Sequence, residues 1–280
     1  MKIFVANWKM NNSFDEADVW LEGFFKNYIS KYDQLKNIEL VLCPAAVVLD
    51  YINGELTDEE FKNLEEIMKS QKTKLEDFSP EELSEILIKQ RPLKLGGQDC
   101  HYQKNGAFTG DISAEMLVKV GCQYVILGHC ERRTNYFESS EVVAKKVAAA
   151  LDQRLIPIIC VGESKEIRDL GKHLEFVYHQ IIDSLPKDGQ FEKIIIAYEP
   201  IWSIGTGIIP SLSQISEMAK FIKKIFNEKL PNRAKQHFLL YGGSTNQNNA
   251  QEILSIEGID GLLVGKSSLD VDEFIKICLS

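Results

Sequence analysis

Glu199 stands in the stretch Ala197-Tyr198-Glu199-Pro200-Ile201-Trp202-Ser203-Ile204-Gly205-Thr206-Gly207, which sets a carboxylate, an aromatic ring and two glycines close together. The β-branched run Ile194-Ile195-Ile196 precedes it, so the carboxylate falls at the carboxyl tip of a predicted buried strand. A base at a strand end beside a glycine-flanked loop fits proton transfer under a lid. Pro200 and Trp202 pivot one end of that loop, Ile204 is an apolar cover, and Gly205 presents a bare backbone N–H to an anion. The alternative is an ordinary strand-to-helix turn, with Glu199 solvated and the glycines only reversing the chain.

The elements around this stretch decide between the two readings. Strand-like runs recur at Lys2–Ala6, Ile38–Cys43, Leu93–Gly97, Gln123–Leu127, Leu155–Val161, Lys193–Tyr198, His237–Tyr241 and Ile259–Val264, with amphipathic helical segments between them. Alternating strands and helices specify a parallel sheet, and eight such units are the number that closes a (β/α)8 barrel, an α/β fold. Such a barrel carries its chemistry at the carboxyl ends of its strands. Polar groups stand there: Asn7 and Lys9, Gln98 and Asp99, His129 and Glu131, Glu163, then Glu199. After the seventh and eighth strands come Gly242-Gly243-Ser244 and Gly265-Lys266-Ser267, the backbone donors that a barrel phosphate site requires. Glycines serving only as turns would not call for the adjoining serines.

A chain of 280 residues suits one barrel domain, expected to span 1–280, and 44% hydrophobic with 26% charged residues is the composition of a soluble globular protein. The net charge of −9 excludes a nucleic-acid footprint, and two thirds of it lies between Glu55 and Gln90. An anionic substrate is therefore drawn by a local site and not by the global field. The six cysteines form no Cys-x-x-Cys pair and fall in apolar runs, and no apolar run approaches the length of a bilayer. These features lead to the expectation of a cytoplasmic protein without disulfides, binding neither membrane nor nucleic acid.

The spacing breaks once. Thr57-x-x-Glu60 and Ser79-Pro80-x-Glu82 read as helix starts, followed by apolar stripes at Phe61, Leu64, Ile67 and Met68 and at Leu83, Ile86 and Leu87. An acidic helical hairpin at about 57–90 is expected between the second helix and the third strand, on the amino-terminal face and away from the chemistry.

With these residues assembled, the sequence resembles the triosephosphate isomerase family along nearly its whole length, the insertion excepted. The resemblance is carried by Ala6-Asn7-Trp8-Lys9-Met10-Asn11, Gly106-Ala107-Phe108-Thr109-Gly110, Val125-Ile126-Leu127-Gly128-His129-Cys130-Glu131-Arg132-Arg133, Cys160-Val161-Gly162-Glu163, the Glu199 stretch and Tyr241-Gly242-Gly243-Ser244. It implies the TIM-barrel fold and interconversion of dihydroxyacetone phosphate and D-glyceraldehyde 3-phosphate through an enediolate, in glycolysis and gluconeogenesis, with no cofactor or metal. It also implies Glu199 as base, His129 as neutral electrophile, Lys9 and Asn7 as donors near phosphate and oxyanion, and Glu131 as supporting carboxylate. Gly205, Ser244, Gly265 and Lys266 would hold the phosphate through backbone N–H groups, while Ile204 and Leu263 clamp the base. Finally it implies a homodimer, the 106–110 loop docking on the other subunit with Thr109 reaching Glu131.

Three positions depart from the family pattern: Cys130 stands for a serine, Lys266 for a glycine and Asp99 for an asparagine. A thiol is a weaker donor than a hydroxyl, so a less tightly parked Glu199 is expected. Lys266 is compatible with the phosphate loop only at negative φ. Beyond the lid, Ile208-Ile209-Pro210 is stiffer than the small polar hinge usual there, and slower lid opening is expected. Two other readings stay open. A different phosphate-handling barrel enzyme would lack the joint Asn7, Lys9, His129 and Glu199 set, and a silent scaffold would use the acidic hairpin as a binding surface.

Overall fold

Eight apolar runs become parallel strands: β1 (Lys2–Asn7), β2 (Ile38–Cys43), β3 (Lys94–Gly97), β4 (Cys122–Leu127), β5 (Ile156–Val161), β6 (Phe191–Tyr198), β7 (Ala234–Tyr241) and β8 (Gly261–Val264). Each pairs with its sequence neighbour and β8 returns to β1, closing the barrel. The computed structural model describes residues 1–58, 91–188, 190–204 and 208–280. Gly205, at the tip of the expected lid, and nearly all of the expected hairpin lie outside the described residues.

Side chains alternate between the two faces of each strand, and both faces are buried. Ile3, Val5, Val41, Tyr124, Ile126, Ile158, Ile195 and Leu240 belong to a cluster filling the barrel interior. Their neighbours Phe4, Ala6, Leu40, Leu42, Val125 and Ile159 face outward and join the larger cluster beneath the helices. This two-sided burial explains why the strands read as continuous apolar runs.

The predicted strand boundaries shift where local groups intervene. β8 begins at Gly261, after Asp260, whose carboxylate accepts the Leu239 N–H (2.7 Å) and the Lys223 ammonium (2.6 Å). At Gly261 itself a Cβ would lie 1.8 Å from the Ile3 carbonyl oxygen, so only glycine allows β8 to approach β1 there. Registers Asn7↔Cys43, Val161↔Tyr198 and Tyr198↔Tyr241 bring the strand ends to a common rim.

Residues 49–58 form one helix after β2. Thr57 does not open a new helix, as the Thr57-x-x-Glu60 pattern implied. Its hydroxyl donates to the Asn53 carbonyl one turn back (2.7 Å), a bond available only inside a helix. Arg91, just before β3, donates to Asn53 (2.9 Å) and to Thr57 (3.1 Å), so the two ends of the insertion are tied together.

Candidate active site

His129 follows β4 and caps the short helix Cys130–Asn135, its Nδ1 accepting the Glu131 N–H at 3.2 Å. A ring nitrogen that accepts a backbone N–H at the positive end of a helix has no lone pair for a second proton. Burial disfavours the imidazolium, and the Glu199 carboxylate outweighs it and pushes the ring's pKa up to about 10, but the second proton this favours has no free lone pair at Nδ1. We assign the neutral tautomer with the proton on Nε2. That N–H donates to Glu199 Oε1 at 3.0 Å.

Glu199 is buried (2% exposed), and its other oxygen accepts the Cys130 N–H at 3.1 Å. Burial pushes this carboxyl up, but His129, the Cys130 N–H and Lys9 together hold it below the ordinary glutamate range. Tight backbone contacts aim it. A Cβ on Gly162 would meet the Glu199 carbonyl oxygen at 1.7 Å, and one on Gly242 would meet Glu199 Cγ at 2.9 Å. Cys160, inside the barrel, has its thiol pushed well up by burial and then by the Glu199 charge.

Lys9 follows β1 with φ of +55°, a left-handed conformation that disfavours a side chain. Two bonds hold it: its N–H donates to Asn7 Oδ1 (3.1 Å), and its carbonyl accepts from Gln98 Nε2 (2.8 Å). Local strain of this kind persists where the surroundings over-determine it. The Lys9 ammonium pairs with Glu131 at 2.5 Å. Glu131 is therefore the partner of Lys9, whereas Arg132 and Arg133 turn elsewhere. Arg132 bonds Asp99 (3.0 Å) and Glu138 (2.7 Å), and Arg133 bonds the Gly128 carbonyl (2.8 Å) and the Ser184 hydroxyl (3.0 Å).

A cavity of about 580 Å3 is lined jointly by Asn7, Lys9, His129, Glu131, Glu199, Ser244, Gly265 and Lys266. Every expected site residue within the described region thus faces one space, and Ile204 and Leu263 line it too. Lys266 is not among the described residues with positive φ, so the lysine sits in the loop after β8 without strain. The Ser244 hydroxyl donates to the Ser203 carbonyl (3.0 Å), tying the loop after β7 to the loop after β6.

Some lining residues went unnoticed in the sequence, namely Asn135, Thr245 and Asn246. Asn135 lies four residues after Glu131, hence on the same helix face, a spacing that could have exposed it. Asn246 sits in an Asn-rich turn where its own bond to the Asn248 N–H (2.8 Å) makes it look purely local. Glu163, noted as a strand-end carboxylate, does not face the cavity. It accepts bonds from Trp202 Nε1 (2.9 Å), Tyr198 (3.1 Å) and Arg168 (3.0 Å), anchoring the loop's first pivot.

Comparison with known proteins identifies the family. The family model described as Triosephosphate isomerase matches residues 78–280. The chain is 37% identical to the triosephosphate isomerase of Aquifex aeolicus, over 100% of this chain and 99% of that one. It is 38% identical to that of Hydrogenovibrio crunogenus, over 99% of this chain and 97% of the relative. The crystal structure of triosephosphate isomerase from Bartonella henselae superposes with a TM-score of 0.77 at 33% identity, covering 99% of this chain and 97% of that one. The shared fold, full-length similarity and matching family model agree: the chain belongs to the triosephosphate isomerase family.

Proposed function

We propose how the residues around the cavity divide the work of the family's reaction. As a family member the chain is an isomerase, interconverting dihydroxyacetone phosphate and D-glyceraldehyde 3-phosphate, a step of glycolysis. Glu199 removes a proton from the carbon beside the substrate carbonyl and returns it to the adjacent carbon. His129 donates its Nε2–H to the developing oxyanion, and Lys9 supplies positive charge next to it. One observation carries this division of roles, the 3.0 Å approach of Glu199 Oε1 to His129 Nε2 inside the shared cavity.

Before substrate arrives, the two groups occupy each other. A substrate carbonyl that takes the His129 N–H releases Glu199 from the bonds that hold its basicity down. Burial is then opposed only by the Cys130 N–H and Lys9, so the Glu199 carboxyl rises and becomes a stronger base at the moment it is needed. Asn7 adds a donor, and Glu131 fixes Lys9. Ser244, Gly265 and Lys266 hold the phosphate from the loops after β7 and β8, joined by Gly205 from the lid.

The functional unit in this proposal is a homodimer. Phe108 is 39% exposed and Met10 94% exposed, and both would be covered by a second copy. A second cavity, of about 470 Å3, shares Lys9 and Glu131 with the first and opens beside Met10 and Tyr136. It suits the 106–110 loop of the partner, with Thr109 supporting Glu131. A cytoplasmic location is also proposed, consistent with six buried, unbridged cysteines. No described helix is long and apolar enough to cross a membrane. Residues 57–90 are proposed to be an acidic insertion in a single barrel domain. Replacing residues 59–90 with a short linker should therefore leave turnover intact, and a loss of activity would give the insertion a role in the site.

Coupled assay of glyceraldehyde 3-phosphate isomerisation tests the assignment. Glu199→Gln should lower kcat by roughly 10²–10⁴. Retention of wild-type turnover would remove Glu199 from the role of base.

A further inference from the structure

His129, Cys130 and Glu199 are buried together, and each offers one ligand atom: imidazole nitrogen, thiol sulfur and carboxylate oxygen all lie within 4.8 Å of one another. His129 presents a different ring nitrogen to each neighbour, Nε2 to Glu199 Oε1 at 3.0 Å and Nδ1 to Cys130 Sγ at 3.8 Å, so the ring must turn for one nitrogen to serve both. In a tetrahedral site with metal–ligand bonds of about 2.0–2.3 Å, ligands stand about 3.3–3.8 Å apart. From separations of at most 4.8 Å, side-chain shifts of about 1 Å converge the three on one nitrogen.

We propose that this triad is an inhibitory site for a thiophilic divalent cation, Zn²⁺ or Cd²⁺, bound through one His129 nitrogen, Cys130 Sγ and a Glu199 oxygen. The donor set is that of a borderline-soft metal and not of magnesium or calcium. Three protein ligands leave a coordination position toward the cavity, where water can enter. On binding, the Cys130 thiol loses its proton to solvent and its sulfur donates an electron pair to the metal, while His129 frees a lone pair by giving up the Glu131 N–H at Nδ1, either for the metal itself or for the ring proton moving over from Nε2, with no change of oxidation state. The resulting thiolate and the Glu199 carboxylate balance the cation's charge. Lys9, the nearby positive group, is already paired with Glu131 at 2.5 Å.

The consequence is specific to this chain's cysteine. A hydroxyl at position 130 is a poor ligand for such cations, so a serine there would leave only two protein ligands. The cation occupies the base and the oxyanion donor at once, and inhibition competes with substrate. That consequence rests on Glu199 and His129 acting in catalysis. The site itself rests on geometry alone.

The test has two arms on the purified full chain. In the first, Cd²⁺ is titrated during the isomerase assay, and each variant is compared with its own metal-free rate. Inhibition should be competitive with substrate and reversed by a chelator, and it should weaken at least about ten-fold in both Cys130→Ser and Cys130→Ala. Equal sensitivity of wild type and both variants would overturn the proposal, as would a loss of sensitivity in Cys160→Ala alone. In the second arm, alkylation of each cysteine in the wild-type protein is followed by peptide mass spectrometry with and without Cd²⁺. Selective protection of Cys130 supports the site even if the catalytic roles are wrong. Unchanged alkylation of Cys130 overturns it even if they are right.

Discussion

Glu199 Oε1 lies 3.0 Å from His129 Nε2, while Glu199 Oε2 takes the backbone N–H of Cys130 at 3.1 Å. The proposed base and electrophile thus hold each other, and in that proposal the substrate parts them. Each also sets the other's protonation.

Replacing His129 with glutamine exposes that coupling. His129 is the strongest group holding the Glu199 carboxyl down against burial, so its loss lets that carboxyl rise. The acidic limb of kcat/KM against pH should move to higher pH, and kcat should fall by roughly 10²–10⁴. An acidic limb that stays in place would show that His129 does not tune the base.

Cys130 parks Glu199 through its backbone and not through its thiol. A hydroxyl at this position would offer the carboxylate an additional donor, worth about 1 kcal/mol. Cys130→Ser should therefore change kcat measurably but by less than about ten-fold. An unchanged turnover number would mean the thiol already serves as well as a hydroxyl.

Lys266 lines the cavity directly after Gly265, on the loop that follows β8. In the proposed phosphate site its ammonium adds attraction for the dianion beyond the backbone donors. Lys266→Met should raise KM several-fold while sparing kcat, with the difference shrinking as salt screens the charge. Equal KM values at low ionic strength would show that the side chain points away from bound substrate.

Glu163 receives Trp202, Tyr198 and Arg168 and is fully buried. Glu163→Gln leaves the Arg168 guanidinium short of its carboxylate and costs about 3 kcal/mol. The melting temperature should fall by several degrees, and Trp202 fluorescence should change as the loop's pivot loosens. An unaltered melting temperature would make the anchor dispensable.

Glu138 accepts from Lys146 at 2.6 Å and Arg132 at 2.7 Å, within a cluster that also holds Asp99. Burial raises the Glu138 carboxyl, but Lys146 and Arg132 outweigh it and hold the group below its ordinary value. A depressed folded-state pKa stabilises the protein above the unfolded value and ceases to do so as pH falls through the folded one. Denaturant unfolding of Glu138→Gln should show less loss of stability on acidification than the wild type. Parallel pH curves for the two proteins would contradict this.

The sequence alone carried the architecture, because strands buried on both faces must be apolar throughout and helices between them must be amphipathic. That periodicity needs no tertiary information, and all eight strands follow from it. The rim residues were legible for the same reason: Asn7, His129 and Glu199 follow strand ends, and a parallel barrel gathers such ends at one face. What the tertiary structure decided are relations between residues far apart in the chain. Lys9 could be solvated or paired until its 2.5 Å approach to Glu131 was seen, and Asp99 could not be interpreted before Lys146 and Arg132 were found against it. Glu163 and Glu199 read alike as strand-end carboxylates. Only packing separates them, turning one toward Trp202 and the other toward His129 in the cavity, since the direction of a side chain depends on neighbours that the local sequence does not contain.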